Sequence, residues 1–319
     1  MLHGWFASGR YTSTVLFVLS MSVMLAAFWL PEPVVDMPQP VIGAFSGGFM
    51  SHLISVLIYA FAAVLLMRLS FFDRGVKWLG ALYLWFVALS TFVNGNPFVA
   101  LVSLLFLISV ALLFLCQYNT SSTGLFFTSF MLLGVLAFIT PYSLYLVPLY
   151  LLFCSMTNVF SPRGVGASLL GLITPLWLVL GTAYVFPDAN IIWESFKSGV
   201  ATVFDISFTG YSLLHVLLLF FVLMLLLPAV FTFVGSASPA KPLLRRRFSF
   251  VIVASIYLLL LFCVVNAGAA IFYACMLPFI AVLAAYLFAK KETKLSNLYF
   301  VIVNTIMLAV SVFSLWSIR

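Results

Sequence analysis

The sequence predicts an all-α, polytopic transmembrane helix bundle of about eleven spans, and three observations carry that prediction. Of 319 residues, 65% are hydrophobic and 7% charged, too little polar surface to cover a water-exposed globule. The apolar residues run in blocks of membrane-crossing length. The charged residues fall between those blocks and never in the middle of one. Residues 1–319 read as a single integral membrane domain.

Cutting the chain at polar, glycine and proline punctuation gives spans near 14–31, 46–67, 78–93, 97–116, 124–140, 142–159, 165–186, 212–234, 249–266, 268–288 and 297–317. Several approach the roughly 20 residues that cross a hydrocarbon core. The third, fifth and sixth are shorter, with tight connections at Asn94-Gly95-Asn96-Pro97 and Thr140-Pro141-Tyr142. One short pair can instead form a re-entrant hairpin, which leaves nine spans. The first apolar run ends in Leu30-Pro31-Glu32-Pro33 with no small-residue cleavage site, so it reads as a retained span.

Charge sets the orientation. With the N-terminus in the cytoplasm, Arg10, Arg68, Arg74, Lys77, Arg163, Lys241, Arg245, Arg246, Arg247, Lys290, Lys291 and Lys294 fall inside, and only Lys197 and Arg319 outside. The acids run the other way: Glu32, Asp36, Asp188, Glu194 and Asp205 are outside, Asp73 and Glu292 inside. That partition follows the positive-inside rule and puts the N-terminus inside and the C-terminus outside. The Arg245–Arg247 run with Lys241 reads as the topology signal itself, with anionic headgroups as a further contact.

Soluble-enzyme signatures are absent: no Walker loop, dinucleotide fingerprint, H-E-x-x-H or Cys/His cluster occurs. Cys116, Cys154, Cys263 and Cys275 lie in apolar runs and read as small buried hydrophobes. Gly164-Val165-Gly166 reads as a helix start rather than a phosphate nest. The lack of mid-span charge counts against an ion-coupled transporter. His52 and His215, each just inside the outer end of a span, read as interfacial hydrogen-bonded side chains, with substrate contact as the sharper alternative. Asn158, Asn266 and Asn304 suit helix–helix hydrogen bonds. Nothing in the composition points to nucleic acid.

Two outer stretches are polar. Residues 30–40 hold four prolines, which fix an extended path and carry Glu32 and Asp36 at the membrane surface. Either acid suits a general base or a metal-holding carboxylate near a lipid-linked phosphate; two solvated loop acids are the plain alternative. Residues 187–211 are amphipathic, with Ile192, Phe196, Val200 and Val203 on one stripe and Asn190, Glu194, Ser198 and Asp205 opposite. That predicts an interfacial helix lying on lipid or capping a cavity. Glu194, Lys197 and Asp205, with His215 and His52, are its candidate substrate-binding groups.

From Leu79 to Leu152 the helical rhythm, with Asn94-Gly95-Asn96-Pro97, Ser122-Thr123-Gly124-Leu125, Gly134 and Thr140-Pro141-Tyr142, resembles the central segment of polyprenyl-phosphate-dependent GT-C type glycosyltransferases. It is also similar to a group of uncharacterised multi-pass inner-membrane proteins of Bacteroidetes. The first resemblance implies an outer-face enzyme of envelope polymer assembly acting on lipid-linked sugar. Asp36 or Glu32 would be its base or metal-binding acid, the 187–211 helix its cap, and a divalent metal its cofactor if transfer occurs; the residues themselves identify no cofactor. Two other classes stay open: a non-catalytic membrane scaffold that assembles with other inner-membrane proteins, and a transporter or flippase for an amphiphile. Breaks at Pro175, Pro228 and Pro278 are the feature that would support the last.

Overall fold

Apolar runs of this kind fold as helices because in lipid every backbone N–H and C=O must find a partner within its own segment. A computed structural model describes residues 10–26, 48–69, 79–90, 93–117, 123–157, 161–185, 193, 196–197, 200, 213–234, 242–265, 268–290 and 294–317. These form α1 (Arg10–Ala26), α2 (Phe49–Arg68), α3 (Leu79–Leu89), α4 (Pro97–Cys116) and α5 (Thr123–Ile139). A 3₁₀ segment (Pro141–Leu146) leads into α6 (Val147–Thr157), followed by α7 (Pro162–Val185) and α8 (Leu213–Val234). The chain continues with α9 (Pro242–Val264), α10 (Ala269–Lys290) and α11 (Lys294–Ser317). Each predicted apolar block corresponds to one of these helices, with ends displaced by a few residues.

Six described helices are long and apolar enough to cross a membrane: α2, α4, α7, α8, α9 from Leu244, and α10 as far as Phe288. This is the class of a multi-pass membrane bundle. The short α3 has its own explanation. Ten of its eleven residues are buried, so it is an internal helix that other helices surround. Around α10 the enclosure is nearly complete, with 94% of its span buried. Pro175, Pro228 and Pro278 each lie inside an unbroken helix, so none of them divides a span into half-helices.

Two clusters mark opposite ends of the bundle. At one, Asn96 caps α4: its Oδ1 accepts from Phe98 N at 3.0 Å and Val99 N at 3.3 Å, with Pro97 at the first helical position. Asparagine before proline is a strong helix start, since it satisfies orphan amides while proline lacks one. At the other end of the same helix, about 30 Å away at 1.5 Å per residue, stands Arg247. Its guanidinium donates to Gln117 Oε1 (2.9 Å), Phe114 O (3.1 Å) and Leu69 O (3.3 Å), and it sits 5.2 Å from the Phe114 ring centroid. One cation thus closes the C-terminal ends of α2 and α4, where carbonyls are orphaned and the helix dipole favours positive charge. The headgroup role expected for the whole basic run is corrected here: Arg245 and Arg246 are exposed, but Arg247 is buried.

Lipid is as apolar as leucine, so side-chain packing and hydrogen bonds, not water exclusion, bind the helices together. Between α4 and α5, Ser109 and Ser129 exchange bonds: Ser109 Oγ donates to Ser129 O at 2.7 Å and Ser129 Oγ to Ser109 O at 2.9 Å. Between α5 and α7 the backbones nearly touch. A Cβ on Gly171 would stand 2.4 Å from Phe127 O, and one on Gly134 would stand 2.7 Å from Leu172 O. Trp85 Nε1 donates to Asn304 Oδ1 at 2.7 Å and joins α3 to α11, the interhelical role the sequence suggests for that asparagine. Tyr257 OH donates to Tyr145 O at 2.6 Å, and Tyr299 OH donates to Met224 O.

Candidate functional site

The end of the bundle that carries Asn96 concentrates buried polar side chains. Gly95 adopts φ +91°, the left-handed region that suits glycine, and turns the chain from α3 into α4. That turn closes over His52 of α2, for a Cβ on Gly95 would meet His52 Nδ1 at 2.9 Å. The imidazole is 5% exposed, and its Nε2 pairs with Met24 O at 2.5 Å. His52 therefore pins the end of α1 to the start of α2. Met24 O is a backbone carbonyl near the end of α1, so this bond alone gives His52 a structural role.

Ser90 and Tyr273 extend the layer. Ser90 Oγ lies 3.1 Å from Tyr273 OH and also donates to Phe86 O at 2.7 Å. This ties the end of α3 to the first turn of α10. Tyr59 OH approaches Val93 O at 3.5 Å. Asn94 is 9% exposed, and neither its Oδ1 nor its Nδ2 has a hydrogen-bond partner. A buried carboxamide left bare in this way costs on the order of 1–3 kcal/mol. Thr140 and Ser143, where α5 passes into the 3₁₀ segment, are buried and 2.5 Å apart through their hydroxyls.

His215 lies half-buried near the start of α8 and stacks on Phe262 at 5.6 Å. Phe262 in turn packs on Tyr273 at 5.6 Å. The two candidate histidines thus share one end of the bundle, with His215 joined through Phe262 and Tyr273 to Ser90 at the end of α3. Lys197 also reaches this end. Trp193, Phe196, Lys197 and Val200 are helical, and Phe196 stacks on Phe138 of α5 at 4.4 Å. Trp193 stacks on Phe196 at 5.7 Å, and Lys197 Nζ stands 5.5 Å from the centre of the Trp193 ring. Phe196 belongs to the apolar stripe read from the sequence. Its partner Phe138 stands one residue before the end of α5, so the stretch packs against the rim of the same layer.

Glu32, Asp36, Glu194 and Asp205 lie outside the described residues. Among the described residues, no three His, Cys, Asp or Glu side chains are placed to hold a metal ion. The four cysteines carry thiols, three of them buried. Gly164 N donates to Ser161 Oγ at 3.0 Å, so the Gly164-Val165-Gly166 stretch opens α7 as a capped helix start. Sequence reasoning passed over Ser90, Tyr273 and Asn94 as site residues. The tight Asn-Gly-Asn-Pro turn was the available signal, because a polar turn between two apolar helices must place its amides somewhere. No family model matches the chain, and no curated protein or solved structure is significantly similar to it.

Proposed function

We propose that this protein is a bacterial inner-membrane, multi-pass protein that handles a lipid-linked sugar at its Asn94 end, the outer face by the charge partition, in envelope polymer assembly. The observation that carries this reading is a convergence of elements. His52 holds the end of α1, from which the chain runs towards Glu32 and Asp36, against the turn at Gly95. Phe196 anchors the Trp193–Lys197 stretch to the end of α5. The end of α1 and the Trp193–Lys197 stretch therefore lie at one end of the bundle, beside a buried layer of hydroxyl and amide groups. In this reading Asp36 or Glu32 is the base or metal-holding acid, and Lys197 offers a cation to a phosphate. The test is sugar transfer from a polyprenyl-phosphate donor by the reconstituted protein. Replacing Glu32→Gln and Asp36→Asn together abolishes transfer by this reading, and unchanged transfer removes the acids from it.

A non-catalytic scaffold is the second reading, and the outward face of α7 favours it. Only 22% of that span is buried within the chain, and Trp177 and Tyr184 are 73% and 92% exposed. Purification in mild detergent decides between the two: stoichiometric membrane partners that depend on Trp177 support the scaffold, and a solitary, transfer-competent particle excludes it.

A further inference from the structure

At the Arg247 end, α5, α6 and α7 leave a gap between them. Phe153, near the end of α6, packs on Phe114, near the end of α4, with ring centroids 5.4 Å apart. The end of α6 and the start of α7 therefore belong to this end. A cleft of about 220 Å³, partly open to the outside of the bundle, lies between the three helices. Phe126 and Phe130 of α5, Leu151 and Cys154 of α6, and Val165 and Ser168 of α7 line it. Its walls are apolar in effect, because the Ser168 hydroxyl is turned onto Val165 O at 2.8 Å.

Helix rise places the cleft in depth. Val165 and Ser168 are three and six residues from the start of α7, which puts them about 4.5 and 9 Å below it. Phe126 stands at the matching depth on α5. The cleft thus occupies the outermost turns of the bundle, where the headgroup region of a bilayer passes into hydrocarbon. Leu151, Leu152, Val165 and Leu169 are exposed around it, so its rim faces lipid. Gly164 lines its end, and the exposed Arg163 stands one residue before that glycine. Arg68, Arg245 and Arg246 are also exposed at this end, and every charged side chain among its described residues is basic.

We propose that the cleft between α5, α6 and α7 holds one acyl chain of an acidic phospholipid, whose headgroup phosphate pairs with Arg163. Each part of the lipid follows from a part of the site. An apolar cleft that opens to the bilayer takes a hydrocarbon chain, and a guanidinium at its end takes a phosphate. The basic surroundings select a headgroup of net negative charge. This site stands at the opposite end of the bundle from Asn94 and does not depend on the lipid-linked sugar reading.

Native mass spectrometry of the full-length protein, offered equal amounts of phosphatidylglycerol and phosphatidylcholine with the same chains, tests it. The protein is expected to retain phosphatidylglycerol in preference. Arg163→Gln should weaken that retention about fivefold, the effect of one basic residue beside an acidic lipid. Leu151→Trp, which fills the cleft from its exposed side, should weaken it at least as much. Arg246→Gln, on α9, should leave it close to the wild-type value, and excess inorganic phosphate should not displace the lipid. Equal retention of the two lipids overturns the inference, as does displacement by phosphate, which would mark a free-anion site. Retention indifferent to both Arg163→Gln and Leu151→Trp overturns it too, and so does an equal loss with Arg246→Gln, the signature of a diffuse basic surface.

Discussion

Arg247 and its neighbours Arg245 and Arg246 are chemically identical, yet the bundle treats them differently. Arg247 makes three hydrogen bonds inside the protein, and the other two side chains are exposed. Removing it strands two helix-end carbonyls and a glutamine oxygen, and bonds to a charged donor contribute about 1.5–3 kcal/mol each. Arg247→Leu should therefore lower stability by about 3 kcal/mol or more in a detergent melt, and Arg246→Leu by less than about 0.5 kcal/mol. Arg247→Lys should behave much like the leucine variant, since an ammonium lacks the planar fork that reaches several acceptors. The sequence shows three equivalent arginines at a helix start, and helical spacing alone cannot say which one meets the ends of α2 and α4. The junction role of His52 was not readable, because Met24 O, which it bonds, and Gly95, which closes over it, come from elements distant in the chain.

At the scale of elements, the apolar blocks were legible because length and the absence of mid-span charge define them, and one helix formed from each. Their neighbours were not legible. Helices that are apolar all round carry little face information, so the α5–α7 contact through Gly134 and Gly171 could not be read from spacing. The contact makes a sharp prediction. Gly171→Leu places a side chain where a Cβ already stands 2.4 Å from Phe127 O, and overpacking of this kind costs typically about 1–3 kcal/mol. Loss of α5–α7 cross-linking between engineered cysteine pairs would report the separation directly. The serine exchange between α4 and α5 is weaker. A double-mutant cycle of Ser109→Ala and Ser129→Ala should give a coupling of about 0.6–1.7 kcal/mol, the range for hydrogen bonds between membrane helices. A coupling near zero would mean that the two hydroxyls find other acceptors once separated.

At the scale of the molecule, His52, Gly95, Tyr273 and Phe196 belong to one end of the bundle, and Leu69, Gln117 and Arg247 to the other. Which end faces the cell exterior is a proposal from the positive-inside partition, and single cysteines in intact cells test it. Asp36→Cys should react with an impermeant maleimide, and Arg246→Cys only after permeabilisation; the reverse pattern would invert the molecule. The sequence predicts polar loops on one side but cannot show the buried Asn94, Ser90 and Tyr273 layer, which forms from residues far apart in the chain. The most direct measurement is saturable binding of a polyprenyl-phosphate-linked monosaccharide to the protein in nanodiscs. Saturable binding that weakens about tenfold when Glu32→Gln, Asp36→Asn and Lys197→Ala are combined, a loss of about 1.4 kcal/mol, is the predicted result. No saturable binding, or binding indifferent to all three replacements, would contradict it.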